Sequence, residues 1–269
     1  GKHVLCEKPA ARTYKEALTM QAAQHETGLT LNIGVVNRFN TAVNEIKKLI
    51  DAGELGEVYH VYVSFRAHRS IPGLGGPFTT KAESGGGVLI DWGVHYLDLI
   101  FYCMGERKLK TVSAETYSVL GRDIDKYVCT AMWAGPRISN GTYDVEEYVT
   151  GMVRLEDEKK SISTITLEGA WAQNIGEEEM FIDFMGDKAG IRMDYYGAYT
   201  EYRGANGVLE KINADFDRPP MHNTETVRFF EGLKTGEKTR NYVDNVLETM
   251  RLLDAVYESA DKKREVALD

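Results

Sequence analysis

The chain is poor in cysteine, in basic charge and in long apolar runs, and each shortage removes a class of protein. Cys6, Cys103 and Cys129 are its only cysteines among 269 residues. Their odd number, wide spacing and lack of any CxxC argue against a disulfide framework or a zinc site, and a reducing, cytoplasmic compartment fits. No metal site of another kind is expected either. No apolar run approaches the ~20 residues of a membrane-spanning helix, so no membrane partner is expected. Lys and Arg total 32 against 41 Asp and Glu, a formal charge of −9. No basic stripe exists to track phosphates, which sets nucleic acid aside. Lys47-Lys48 and Lys262-Lys263-Arg264 read as solvated helix faces. G-x-G-x-x-G, the P-loop, HExxH and G-x-S-x-G are all absent. The nearest approach, Gly73-x-Gly75-Gly76, runs into Pro77-Phe78 with no strand–turn–helix register. No signal peptide, fixed-period repeat or low-complexity segment is visible.

What is present is the composition of an ordinary globular protein, 43% hydrophobic and 27% charged. His3 to Glu7 and Leu29 to Val36 are short apolar strands. Between them 14–27 reads as a helix, with Thr13 as N-cap, Glu16 three residues on and Gly28 as its stop. That is one βαβ unit. A helix over 41–52 and a strand over 58–66 follow, then a Pro/Gly loop over 70–76 and a helix over 88–104. From Lys110 to about Ile212 the period is mostly two, with turns at short intervals, which suggests an antiparallel sheet. Helices over 224–234 and 243–262 close the chain. One alternation of the strand at Glu179 carries Met180, Ile182 and Phe184, and Trp171, Tyr195 and Tyr199 lie on neighbouring runs. These are expected on the face away from the helices, as an oligomer interface.

Three places could carry chemistry. Glu7-Lys8-Pro9 ends the first strand, and strand carboxyl ends in α/β sheets face the ligand crevice. Asp91 and His95 stand four apart, on one helix face continued by Asp98 and Tyr102, after Gly85-Gly86-Gly87. The glycines allow close backbone approach and leave free amides at the positive helix end. An imidazole beside a carboxylate is a natural general acid/base, because its ordinary pKa lies near neutrality. Third, Arg38 follows the second strand and either touches substrate or braces a hinge. Arg66, His68 and Arg69 end the next strand and could bind a hydroxylated or acidic substrate as readily as lie exposed. Trp171, Tyr143 and Asp144 read as core or interface rather than as a sugar platform, and Asn140-Gly141 reads as a turn.

Glu7-Lys8-Pro9 together with Gly85-Gly86-Gly87-x-x-x-Asp91-x-Gly93-x-His95-x-x-Asp98 resembles the Gfo/Idh/MocA family of NAD(P)-dependent oxidoreductases. The resemblance covers essentially the whole chain. It implies an α+β protein, in which a C-terminal remnant of a Rossmann-like parallel α/β domain precedes a domain like that of glucose-fructose oxidoreductase. That second domain has a large open, mainly antiparallel sheet covered by helices on one face. Residues 1–37 would be the remnant and 38–269 the substrate-binding and oligomerisation domain. In the family the Glu-Lys-Pro segment lies well inside the nucleotide-binding domain, so the chain is expected to be the back two-thirds of an enzyme. It is expected to be inactive by itself and not to bind NAD or NADP tightly. The resemblance also implies the site. Lys8, Asp91 and His95 would be catalytic, Glu7, Lys8 and Pro9 would touch the cofactor through a cis Lys8–Pro9 bond, and Arg38, Arg69, Asp91 and His95 would bind a sugar, inositol or similar polyol. His95 would take the hydroxyl proton, Lys8 would hold the developing alkoxide and Asp91 would orient them. A homodimer or homotetramer would form through the open sheet. The alternative is a non-catalytic sugar-binding or oligomerisation module.

Overall fold

The computed structural model describes residues 1–195 and 197–268. β1 (Val4–Glu7) and β2 (Leu31–Gly34) pair in parallel through the crossover helix α1 (Tyr14–Thr27), the connection parallel strands require. α1 is delimited by its own sequence. The Thr13 hydroxyl accepts from the Glu16 amide, the Glu16 carboxylate accepts from the Thr13 amide, and Gly28 ends the helix at φ 66°. A one-turn helix at Val36–Phe39 leads into α2 (Thr41–Asp51), capped by the Asn40 side chain accepting from the Ala42 amide at 2.9 Å. β3 (Val58–Arg66) follows, then a loop carrying the short α3 (Lys81–Ser84). The expected helix over 88–104 is two pieces, a π-helical turn at Leu89–Gly93 and α4 (Val94–Met104).

The remaining strands are β4 (Lys108–Tyr117), β5 (Tyr148–Glu156), β6 (Ile162–Ala170), β7 (Glu179–Gly186), β8 (Ala189–Asp194), β9 (Ala198–Ala205) and β10 (Val208–Asp215). α5 (Met221–Thr235), α6 (Leu247–Lys262) and β11 (Val266–Ala267) complete the chain. Nine strands form one sheet in the order β10-β9-β8-β7-β3-β6-β5-β4-β11. Every neighbouring pair is antiparallel except β3 with β6. α4 and α6 pack against each other and against β3 and β4, on one face. The expected α+β architecture with a large, mainly antiparallel sheet is thus present.

Two expectations fail. Residues 118–147 hold no strand beyond an isolated bridge between Thr142 and Gly75. Their backbone pairs instead with the loop before α3, as Thr130 N to Arg69 O, Ile138 N to Leu74 O and Asp144 N to Thr79 O. The faces of the sheet are also reversed at β7. Met180, Ile182 and Phe184 point under the helices, with Ile182 and Phe184 at 0% and 1% exposure, and Trp171 is fully buried. Strand alternation separates two sets of side chains but does not say which set meets the helices. The open face carries Tyr62, Met152, Thr166, Phe181 and Asp183, the alternates of buried Val61, Val153, Ile165 and Ile182. It is a mixed surface. The Tyr62 and Phe181 rings meet edge-on at 5.5 Å, and Arg192 pairs with Asp183 at 2.6 Å.

The β1–α1–β2 unit is tied to the end of the chain. Ile33 N donates to Asn241 O at 2.8 Å, Asn241 Nδ2 returns a bond to Ile33 O at 3.0 Å, and Asn32 bridges to Tyr242. α1 packs on α6 and α5 packs on the Val36–Phe39 turn. These contacts close a cleft at the carboxyl ends of β1 and β2.

Candidate functional site

The cleft has a volume of about 340 Å³ and is lined by Glu7, Lys8, Asn37, His95, Tyr195 and His222, with Gly34, Val36, Asn40, Arg218 and Met221 around them. Lys8 stands at its mouth, one residue past β1, followed by a cis bond to Pro9. Its amine donates to the Asp91 carbonyl at 2.8 Å and to Asp91 Oδ1 at 3.1 Å. The other carboxylate oxygen of Asp91 accepts from the Trp171 indole at 3.2 Å. Asp91 is mostly buried, and desolvation raises its pKa, partly offset by the Lys8 ammonium and by the bonds from Lys8 and Trp171. Lys8 and Asp91 therefore form a fixed, half-desolvated pair beside the cleft, with a third ammonium proton left over.

His95 lines the same cleft from the first turn of α4. The near-neutral imidazole expected from the sequence does not survive its surroundings. Burial comes first and the positive charges of Lys8 and His222 second, and together they push its pKa down to about 3. At neutral pH the ring is uncharged. Asn37 Nδ2 lies 3.4 Å from His95 Nδ1.

The glycine run acts through packing, not through free amides. The Glu146 carboxylate accepts from Gly87 N at 2.9 Å and from Leu89 N at 3.0 Å, and from the Tyr257 hydroxyl at 2.9 Å. A Cβ on Gly87 would overlap the Glu146 carbonyl oxygen, and one on Gly86 the Tyr257 hydroxyl. The π-helical turn that carries Asp91 is thus locked from beneath; such turns are frequent at functional sites. The start of α1 is closed too, by its capping box and by Asp254 accepting from Tyr14 N at 2.9 Å. Two of its first three amides, those of Tyr14 and Glu16, are thus taken up and not turned to a pyrophosphate.

Other expected site residues lie elsewhere. Arg38 is 2% exposed, and four of its five N–H groups are used. Nε and Nη2 bond Asp98 at 2.8 and 2.7 Å, and the Arg240 and Asn245 carbonyls accept at 2.7 and 2.8 Å. Of its two expected roles the structure shows Arg38 in the bracing one, and it does not line the cleft. Asp98 and Tyr102 belong to that brace, with the Arg38 guanidinium 5.2 Å over the Tyr102 ring. Arg69 bonds Asn174 and lies 5.5 Å over the Tyr127 ring, and it does not line the cleft. Arg66 pairs with Glu168 at 3.0 Å and with Glu179 on the open face.

Sequence reasoning gave no site role to Asn37, Arg218 and His222, and read Tyr195 as interface and Trp171 as core or interface. Starting the last-but-one helix at Thr224 hid His222. Pro219-Pro220 was the available signal, since Pro220 is the N-cap of α5. Tyr195 carried none, because its approach to Asn37 joins segments 158 residues apart.

Several known proteins that this chain resembles are named as sugar or polyol dehydrogenases. The chain is 28% identical over 274 residues to D-glucoside 3-dehydrogenase of Escherichia coli (strain K12), covering 100% of itself and 73% of that protein. It is 23% identical over 287 residues to scyllo-inositol 2-dehydrogenase (NADP(+)) IolW of Bacillus subtilis (strain 168), again covering 100% and 73%. Its fold matches levoglucosan dehydrogenase in complex with NADH and levoglucosan at a TM-score of 0.79, with 19% identity, over 99% of this chain and 74% of that one. Residues 43–192, more than half of the chain, match the GFO/IDH/MocA C-terminal domain, and the chain belongs to that family.

Proposed function

We propose that the protein is an NAD(P)-dependent oxidoreductase moving hydride between the cofactor and a CH–OH carbon of a sugar, inositol or similar polyol. The observation that carries this reading is the Lys8 amine, held 3.1 Å from Asp91 at the mouth of a cleft that also contains His95. Relatives named for glucoside and inositol oxidation support the substrate class. Lys8 and His95 border one small space, so both can reach a single substrate oxygen. A positive donor there stabilises a developing alkoxide. Asp91, itself held by Trp171, fixes where the Lys8 amine points.

The chain fits the reacting end of a nicotinamide cofactor better than its pyrophosphate. Glu7, Lys8 and Pro9 sit at the carboxyl edge of the parallel pair, where ligands of α/β sheets bind, whereas the start of α1 is already capped. When bound, the cofactor supplies the hydride acceptor. The test is turnover of a panel of glucosides, inositols and aldoses with millimolar NAD+ or NADP+, in the wild type and Lys8→Met. Slow polyol-dependent nicotinamide reduction is expected, against the inactivity that the resemblance implies for the chain by itself, and Lys8→Met is expected to lower it about 100-fold or more. Reduction that the substitution leaves undiminished overturns the reading, and saturable sugar binding without any reduction makes the protein a binding module.

We also infer that copies of the chain pair through the open face of the sheet. Tyr62, Met152 and Phe181 lie there among paired charges, a composition suited to a contact surface.

A further inference from the structure

Asn37 is buried and joins two partners. Its Nδ2 donates to the Tyr195 hydroxyl at 2.8 Å and lies 3.4 Å from His95 Nδ1. Tyr195 is itself held in a stack, 4.4 Å from the Tyr96 ring at 20°, and Tyr96 lies 5.1 Å from the fully buried Phe65. The amide is therefore anchored to the core of the sheet and not only to the ring it touches. An amide nitrogen only donates, so its bond to Nδ1 needs a lone pair there. A neutral imidazole with a lone pair on Nδ1 carries its proton on Nε2. The ring is neutral for the separate reasons of burial and nearby charge. Nε2 has no protein partner among the described residues, and the ring borders the cleft.

We infer that Asn37 is a positioning residue that holds His95 as its Nε2–H tautomer, so that His95 meets the substrate oxygen as a hydrogen-bond donor rather than as a base. The inference rests on the dehydrogenase reading for the identity of that oxygen. Two donors, Lys8 Nζ and His95 Nε2, then converge on one atom, an arrangement that favours an alkoxide over the neutral alcohol. The hydroxyl proton passes to the Lys8 amine as that amine gives one of its own to Asp91 Oδ1, 3.1 Å away, whose buried carboxylate has a raised pKa. The opposite orientation of the amide would place its oxygen on Nδ1–H and leave Nε2 as a bare acceptor. The Asn37 side chain thus decides which of two chemistries the same histidine offers.

Long-range proton–nitrogen spectra of the histidine-labelled full chain read the tautomer without any turnover. The wild type is expected to show His95 neutral and protonated on Nε2 at pH 7. Asn37→Asp presents an acceptor to Nδ1, so it is expected to move the proton to Nδ1 and to lower kcat about 100-fold with KM little changed, the loss of one oxyanion donor. Tyr195→Phe keeps the ring stack but frees the amide, and is expected to give a mixture of tautomers, which keeps the question open to test should Asn37→Asp not fold. Wild-type His95 protonated on Nδ1 or on both nitrogens overturns the inference, as does an unchanged Nε2–H form in both variants. If the tautomers behave as stated but no polyol is turned over, the dehydrogenase reading fails and the positioning of His95 by Asn37 stands.

Discussion

Replacing Lys8 by Met keeps most of the stem and removes the charge, so the loss is read at the reacting oxygen. A fall in kcat of roughly 100-fold or more is expected, the usual effect of removing one donor from a developing oxyanion, measured by steady-state kinetics on the best polyol of the panel. Folding should be little affected. Asp91 loses its cation, but its pKa is already raised by burial, and it can protonate instead. Glu225 makes a second prediction. Burial, with Glu7 nearby, lifts its pKa from 4.5 to about 7 against the bond from Asn241. The folded protein binds the proton more tightly than the unfolded chain, so this contribution to stability is complete below about pH 4.5 and is lost as pH rises to about 7. His95 has the opposite sign, since its folded pKa is depressed from 6.5 to about 3 and its contribution is lost as pH falls through that range. The two oppose each other where they overlap. The difference in Tm between wild type and Glu225→Gln, followed from pH 4 to 8, isolates Glu225 and should shift steadily in favour of the variant as pH rises.

Among elements, the brace between the Val36–Phe39 turn and α4 contributes most clearly to stability. Arg38 and Asp98 are 2% and 1% exposed, and among the described residues only Thr249, at 3.2 Å, would remain bonded to the carboxylate without the guanidinium. Arg38→Met is therefore expected to cost about 3–5 kcal/mol, the penalty for stranding one half of a buried pair. Urea unfolding measures it, and KM for the polyol should stay close to wild type because Arg38 does not line the cleft. α1 supports a prediction of the opposite kind, an interaction that is weak. The Tyr14 and Glu16 amides at its start are already satisfied by Asp254 and Thr13. NADH titrated into the chain and followed by fluorescence should not saturate at micromolar concentration. Saturation there would mean that another element holds the phosphates.

For the whole molecule, the open sheet face is the surface to test. Light scattering is expected to give a multiple of the 30.2 kDa protomer. Thr166→Arg, which places a charge between Tyr62 and Met152 on the neighbouring strands, should shift it toward the monomer without lowering Tm. A wild-type monomer would refute the interface.

Local patterns in the chain specify its local elements. Thr13, Glu16 and Gly28 set both ends of α1, and β3 runs over 58–66 as its alternation implies, because capping and strand period act between near neighbours. Glu7-Lys8-Pro9 and the Asp91–His95 spacing were likewise legible as a pair of motifs. The partners of those residues were not. Lys8 meets Asp91 across 83 residues and Asp91 meets Trp171 across 80, and no periodicity encodes which distant side chain fills a given gap. The same limit explains Met180, Ile182 and Phe184, whose alternation was plain while their direction waited on where α4 and α6 pack. It also explains Arg38, whose two possible roles were separated only when folding brought Asp98 and two carbonyls onto its guanidinium. Most of all it explains His95, whose ordinary pKa follows from its chemistry, whereas burial, the charges of Lys8 and His222 and the amide of Asn37 set the form it takes in the folded protein.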